Sequence, residues 1–156
     1  MRAPISILLA LASVVAASDD KTDRATLRGI KSVCTIVEVT GPAVNQERLR
    51  VEMDGVLAAA GITLDKNATT CLYLHVRPLA AIARNNKPVG LYAIDFNLEF
   101  LQKVTLARDA SVKAFAPTWS VENLANVPAD DLTRTARQIT ISLVSRFIEA
   151  YRSVNN

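Results

Sequence analysis

Cys34 and Cys71 are the two cysteines of this 156-residue sequence, and His75 is its one histidine. A thiol hydrolase needs an imidazole beside the thiolate to lower its pKa. Side chains four residues apart on an extended strand are ~13 Å apart, so Cys71 and His75 cannot form that pair directly. A Cys34–Cys71 disulfide in an oxidising compartment is the chemistry that fits, with two free, half-buried thiols as the alternative. One imidazole rules out zinc sites that need two, and no further thiolates replace them. No metal and no cofactor is expected. Asp95 and Glu99 share one face of a strand and could work as an acid and base. The alternation that places them there also demands polar residues on a wet face, which accounts for them without catalysis. Gly-rich phosphate loops and nucleophile-elbow, metalloprotease and EF-hand spacings are missing. Asn67-Ala68-Thr69 matches the N-glycosylation sequon, which acts only in a eukaryotic secretory route. Trp119 beside Pro117 either folds back onto the core or offers its ring to a partner, and the core reading is favoured.

The elements that must position these groups are visible as periodicities. From Lys31 to Thr40 the residues alternate, Val33, Thr35, Val37 and Val39 against Ser32, Cys34, Ile36 and Glu38, the period-two pattern of a half-buried strand. Gly41-Pro42 ends it. Leu49, Met53, Val56, Leu57 and Ala60 then form one helical stripe, with Asn45 as cap and Gly61 just past the end. A second strand spans about Thr69 to Arg77, with Leu72, Leu74 and Val76 inward and Cys71, Tyr73, His75 and Arg77 outward; Pro78 disturbs or ends it. After the turn Asn85-Asn86-Lys87-Pro88, Tyr92, Ile94, Phe96, Leu98 and Phe100 alternate with Ala93, Asp95, Asn97, Glu99 and Leu101. A hairpin at Arg108-Asp109-Ala110 leads into a weaker fourth strand, Ser111 to Ala116, stopped by Pro117. A polar connection to Val127 precedes a long helix beginning at Pro128, whose stripe is Leu132, Ala136, Ile139, Leu143, Phe147, Ala150 and Val154. Arg134, Arg137, Arg146 and Arg152 decorate its solvated face. The order β-α-β-β-β-α predicts an α+β two-layer sandwich, a four-stranded mixed sheet with both helices on one face.

The remaining signals concern the compartment. Met1-Arg2 followed by an apolar run from Ile5 to Val15, then Val15-Ala16-Ala17 and Ser18-Asp19-Asp20, has the layout of a signal peptide cleaved after Ala17. The run is shorter than the ~20 residues that span a hydrocarbon core, so no stable membrane anchor is expected. No cysteine follows the run closely enough for lipid attachment. Residues 1–17 are therefore a signal peptide, 18–29 a flexible leader without apolar period, and 30–156 a single domain. Loss of Arg2 lowers the formal charge from +3 to +2. Basic residues are not clustered with aromatics, so nucleic acid is not an expected partner.

The stretches Leu101-Gln102-Lys103-Val104-Thr105-Leu106-Ala107-Arg108-Asp109, Pro117-Thr118-Trp119-Ser120 and Phe147-Ile148-Glu149-Ala150-Tyr151-Arg152-Ser153-Val154-Asn155 resemble segments of exported bacterial proteins. The element order resembles small periplasmic domains that act as accessory subunits of envelope machines. These resemblances imply a periplasmic or secreted protein and carry over no site residues. Two functional readings follow. The first is a non-enzymatic binding or accessory module that contacts an envelope protein or a small ligand through Ile36, Tyr73, Asp95, Glu99 and Leu101 on the outer sheet face, or through Trp119. The second is a hydrolase-like enzyme with a shallow polar site near Tyr73, His75, Arg77, Asp95 and Glu99. N-terminal sequencing of protein from its native host should begin at or within a few residues of Ser18; an intact Met1 in a membrane-bound pool would contradict the signal peptide.

Overall fold

A computed structural model of the protein describes residues 17–155. Residues 1–16, which make up all but the last residue of the expected signal peptide, lie outside them. The elements run β1 (Ala17–Ser18), α1 (Lys21–Ala25), β2 (Cys34–Val39), α2 (Gln46–Ala59), β3 (Thr70–Ile82), β4 (Pro88–Leu106) and β5 (Asp109–Pro128), then a 3-10 turn (Ala129–Asp131) and α3 (Leu132–Asn155). The sheet order is β1-β5-β4-β3-β2. β2 and β3 are parallel and every other pair is antiparallel. The α+β two-layer architecture holds: four long strands form a mixed sheet, and the two-residue β1 widens one edge. α2 lies against β2, α3 lies against β4 and β5, and the two helices touch.

The core follows from the alternation. Leu72, Leu74 and Val76 of β3 and Ile94, Phe96, Leu98 and Phe100 of β4 are fully buried, facing Leu49, Met53 and Leu57 of α2 and Ala136, Leu143 and Phe147 of α3. The helix signals act as expected. The Asn45 side chain accepts a hydrogen bond from the Arg48 N–H at 2.9 Å, which satisfies one of the unpaired donors of the first turn. Gly61 ends α2 at φ +82°, a conformation that costs an L side chain. In the β3–β4 hairpin Asn86 takes φ +61°, which asparagine tolerates better than most residues.

Three points of the sequence reading are decided. Whether the second strand continues past Pro78, open in the sequence, is answered: β3 runs through it to Ile82. β2 stops pairing at Val39 opposite Val76, and even-numbered residues of β3 turn their main-chain groups toward β2. The missing Pro78 N–H therefore falls where no strand is left to receive it. Pro117 does not stop the fourth strand either. Phe100 pairs with Trp119 and Leu101 with Pro117, so Thr118 is an extra residue in a bulge that absorbs the proline. The supposed polar connection is thus the second half of β5, with Trp119, Val121, Ala125 and Val127 buried.

The third point, a correction, concerns residues 18–29, which are folded rather than loose. Asp20 caps α1 by accepting from the Thr22 and Asp23 N–H groups, and Leu27 is fully buried. Asp19 accepts the Trp119 indole N–H at 2.9 Å and a two-point contact from Arg24 at 2.7 Å, with Arg146 at 3.8 Å. Burial opposes ionisation of this carboxyl, but the Arg24 and Trp119 hydrogen bonds and the two guanidinium charges outweigh it and hold its pKa below the ordinary value.

Cys34 and Cys71 occupy paired positions in β2 and β3 and are joined, Cα to Cα 4.4 Å, across 37 residues. On the chain-entropy account a loop of that length stabilises the fold by about 4 kcal/mol. Urea unfolding of the Cys34→Ser, Cys71→Ser double variant should show a loss of that order; a loss below about 1 kcal/mol would contradict this account.

Candidate functional site

The sheet face opposite the helices has no element over it among the described residues, and the strand register arranges its side chains in rows. Ile36, Tyr73, Glu99 and Ser120 form one row; Glu38, His75, Asn97 and Glu122 form the next. Arg77, Asp95 and Leu124 form a third, and Cys34, Cys71, Leu101 and Pro117 lie at the opposite end. Five of the six residues expected at a contact surface, Ile36, Tyr73, Asp95, Glu99 and Leu101, therefore share this face. Trp119 does not. It is 1% exposed, with its ring edge against Phe147 at 5.4 Å and its N–H held by Asp19. An indole satisfied in this way offers nothing to a partner.

The polar groups of the face bind one another. Arg77 Nε donates to Asp95 Oδ2 at 2.8 Å, and its Nη2 reaches the same oxygen. Tyr73 donates its phenol proton to Glu38 Oε2 at 2.5 Å. His75 Nε2 lies 3.3 Å from Thr40 Oγ1, with its ring stacked on Tyr73 at 6.1 Å. Asn97 Nδ2 donates to Glu99 Oε1 at 3.0 Å. Asp95 and Glu99 are four residues apart on one strand, ~13 Å along it, and each is engaged by a different neighbour. Among the described residues no three His, Cys, Asp or Glu side chains are grouped to hold a metal ion.

Apolar side chains lie around these pairs. Ile36 is 42% exposed, Leu79 72% and Leu124 48%. A shallow cavity of about 460 Å³ opens beside the Arg77–Asp95 pair, lined by Thr40, Pro78, Leu79, Ala93 and Leu124. Leu79, Glu122 and Leu124 were missed as members of this surface by sequence reasoning, and Glu38, placed with Ile36 by the alternation, was not named as a contact residue. The signal for Leu124 was present in the alternation of Trp119, Val121, Ala125 and Val127 with the residues between them. Leu79 was hidden by the proline before it.

No protein-family model and no curated relative matches the chain. Among solved structures it is similar to a PelC dodecamer from Paraburkholderia phytofirmans. That match has 12% identity and a TM-score of 0.48, and covers 89% of this chain and 96% of the other. It is also similar to a minor lipoprotein from Acinetobacter baumannii, at 10% identity and TM-score 0.36, over 81% of this chain and 98% of that one. No helix among the described residues is long and apolar enough to cross a membrane.

The Tyr73 phenol is held protonated by its surroundings. The hydrogen bond to Glu38, then burial, then the charges of Glu38 and Glu99, push its pKa up to about 12. A raised pKa favours the folded state fully below pH ~10, and that contribution is lost as pH rises through the folded value. The absorbance difference between the protein and its Tyr73→Phe variant should titrate near 12, and Glu38→Gln should bring it back toward ~10. A midpoint near 10 in the unaltered protein would show that the Glu38 bond does not form.

Proposed function

We propose that this chain is an exported, non-enzymatic binding or accessory module whose uncovered sheet face contacts another envelope protein. One observation carries the reading: the polar groups of that face are paired with each other across strands, beside exposed aliphatic side chains and a shallow concavity. Catalysis needs groups converging on one reacting atom. Here each candidate acid or base is aimed at a neighbour instead. Tyrosine, arginine and aliphatic anchors beside a polar rim make up the usual composition of a protein contact surface. Across the three rows Glu38, Asp95, Glu99 and Glu122 stand against one guanidinium, Arg77, while Lys103 and Lys113 lie farther along the same face, so the part of a partner that meets these rows presents Lys or Arg. Export is supported by the Cys34–Cys71 disulfide, a bond that persists in oxidising compartments.

A photo-crosslinking residue placed at Leu124 in the full chain, expressed in its native host, should give a discrete protein adduct. Its yield should fall several-fold as salt is raised through about 0.3 M, because charge pairing at a rim is screened. The same residue at Val51, exposed on the helix layer, should give none. No adduct from Leu124, or equal adducts from both positions, would end the assignment of this face.

A further inference from the structure

β2 is the last strand at one edge of the sheet, and alternate residues of such a strand turn their main-chain groups away from the neighbour. The Thr40 N–H donates to the Val76 carbonyl at 3.0 Å, which sets the phase: even-numbered residues bond to β3 and odd-numbered ones face outward. At the ends of β2 outward groups are taken up, both of them at Val33 and the N–H at Val39. Val33 donates to the Thr63 carbonyl and accepts from the Asp65 N–H, each at 3.0 Å, so Leu64 makes a one-residue parallel bridge there. The Val39 N–H donates to Gln46 Oε1 at 3.3 Å. Between these two stops lie Thr35 and Val37, whose N–H and C=O groups point to the open edge without a partner among the described residues.

A cavity of about 400 Å³ runs beside this gap, lined by Thr35, Ile36, Arg50, Asp54, Leu64 and Lys66. Its helix-side wall is held in place. Thr35 Oγ1 donates to Asp54 Oδ1 at 2.6 Å, and Arg50 bridges Asp54 at 3.2 Å to Glu47 at 2.5 Å. Two donors and two acceptors, repeating every ~6.6 Å along an extended chain, match one chemical object: the backbone of another extended polypeptide.

We propose that the open edge of β2 at Thr35 and Val37 is a strand-addition site that takes an extended segment of a partner polypeptide. The segment continues the line begun by Leu64 and places alternate side chains on the two sides of the sheet. On the helix side they meet the charged Arg50 and Asp54, which suit a polar residue. On the other side they meet Ile36, which suits an aliphatic one. The seam between the two stops is a few residues long. It falls short of the ~1,200–2,000 Å² that a stable specific interface buries, and so fits a peptide segment better than a second copy of this chain. The site shares Ile36 with the outer face, but its main-chain donors and acceptors lie at the sheet edge, so it stands or falls separately from the reading of that face.

The test uses the isotope-labelled protein and peptides of about 12 residues selected on it from a random displayed library, a length that spans the seam with flanks. The Thr35 and Val37 amides should exchange freely in the protein alone and at least ~10-fold more slowly with a selected peptide bound. Thr35→Pro removes an outward N–H and crowds the edge, so it should weaken peptide binding by ~10-fold or more. Slow exchange at both amides in the protein alone would overturn the proposal. So would peptides that perturb only other residues, or a library that yields no binder. If the unaltered protein dimerises and Thr35→Pro makes it monomeric, the edge is a self-pairing seam and the partner proposed here is wrong. Should Thr35→Pro fail to fold, the exchange measurements on the unaltered protein decide alone.

Discussion

Asp19 keeps only 8% of its side chain exposed, and a carboxylate so placed must be paired or it would cost several kcal/mol. Its partners come from three separate parts of the fold: Arg24 from α1, Trp119 from the middle of β5 and Arg146 from α3. The dependence runs both ways. A fully buried indole needs an acceptor for its N–H, and Asp19 is the acceptor Trp119 has. Trp119 packs edge-on against Phe147, and Phe147 stacks on Phe100 at 5.7 Å, so the seat of α3 on the sheet is built on the same ring cluster. The N-terminal segment thereby belongs to the core rather than preceding it.

How much of this was legible depended on whether a local pattern carried the information. The β4 alternation and the α2 stripe with its Asn45 cap and Gly61 stop are local, and each placed its element correctly. The parts that were not legible rest on contacts far apart in sequence. α1 is five residues long, too short to show a stripe, and Leu27 is a single apolar residue among charges. Its burial is set by packing that only the folded chain supplies. Pro78 and Pro117 are strand breakers by local chemistry, and their tolerance came from the tertiary setting: an edge where β2 has ended, and a bulge at Thr118. Misreading Pro117 also kept Trp119 open as a contact residue beside the favoured core reading, which holds, and left Leu124 out.

The outer face was legible in part of its membership and not in its pairing. Alternation says which residues point outward, but register decides which of them meet, and register was not fixed by sequence. Once it is known, Arg77 meets Asp95 and Tyr73 meets Glu38 as cross-strand neighbours, the kind of contact that stabilises one register over another. Those pairings aim each of these groups at a neighbour on the sheet. The same side chains then give the surface its shape and charge.

The strand order carries a consequence for how the chain reaches this state. β2, α2 and β3 are consecutive and joined by the disulfide, so they can pair as soon as they exist. The segment before them cannot. Ser18 pairs with Ser120, and the Asp19–Trp119 bond spans 100 residues, so that edge closes only after most of the chain is available. Contacts of such separation are slow to form, and an unpartnered edge persists while they do. The first described residues to emerge are among the last to be secured.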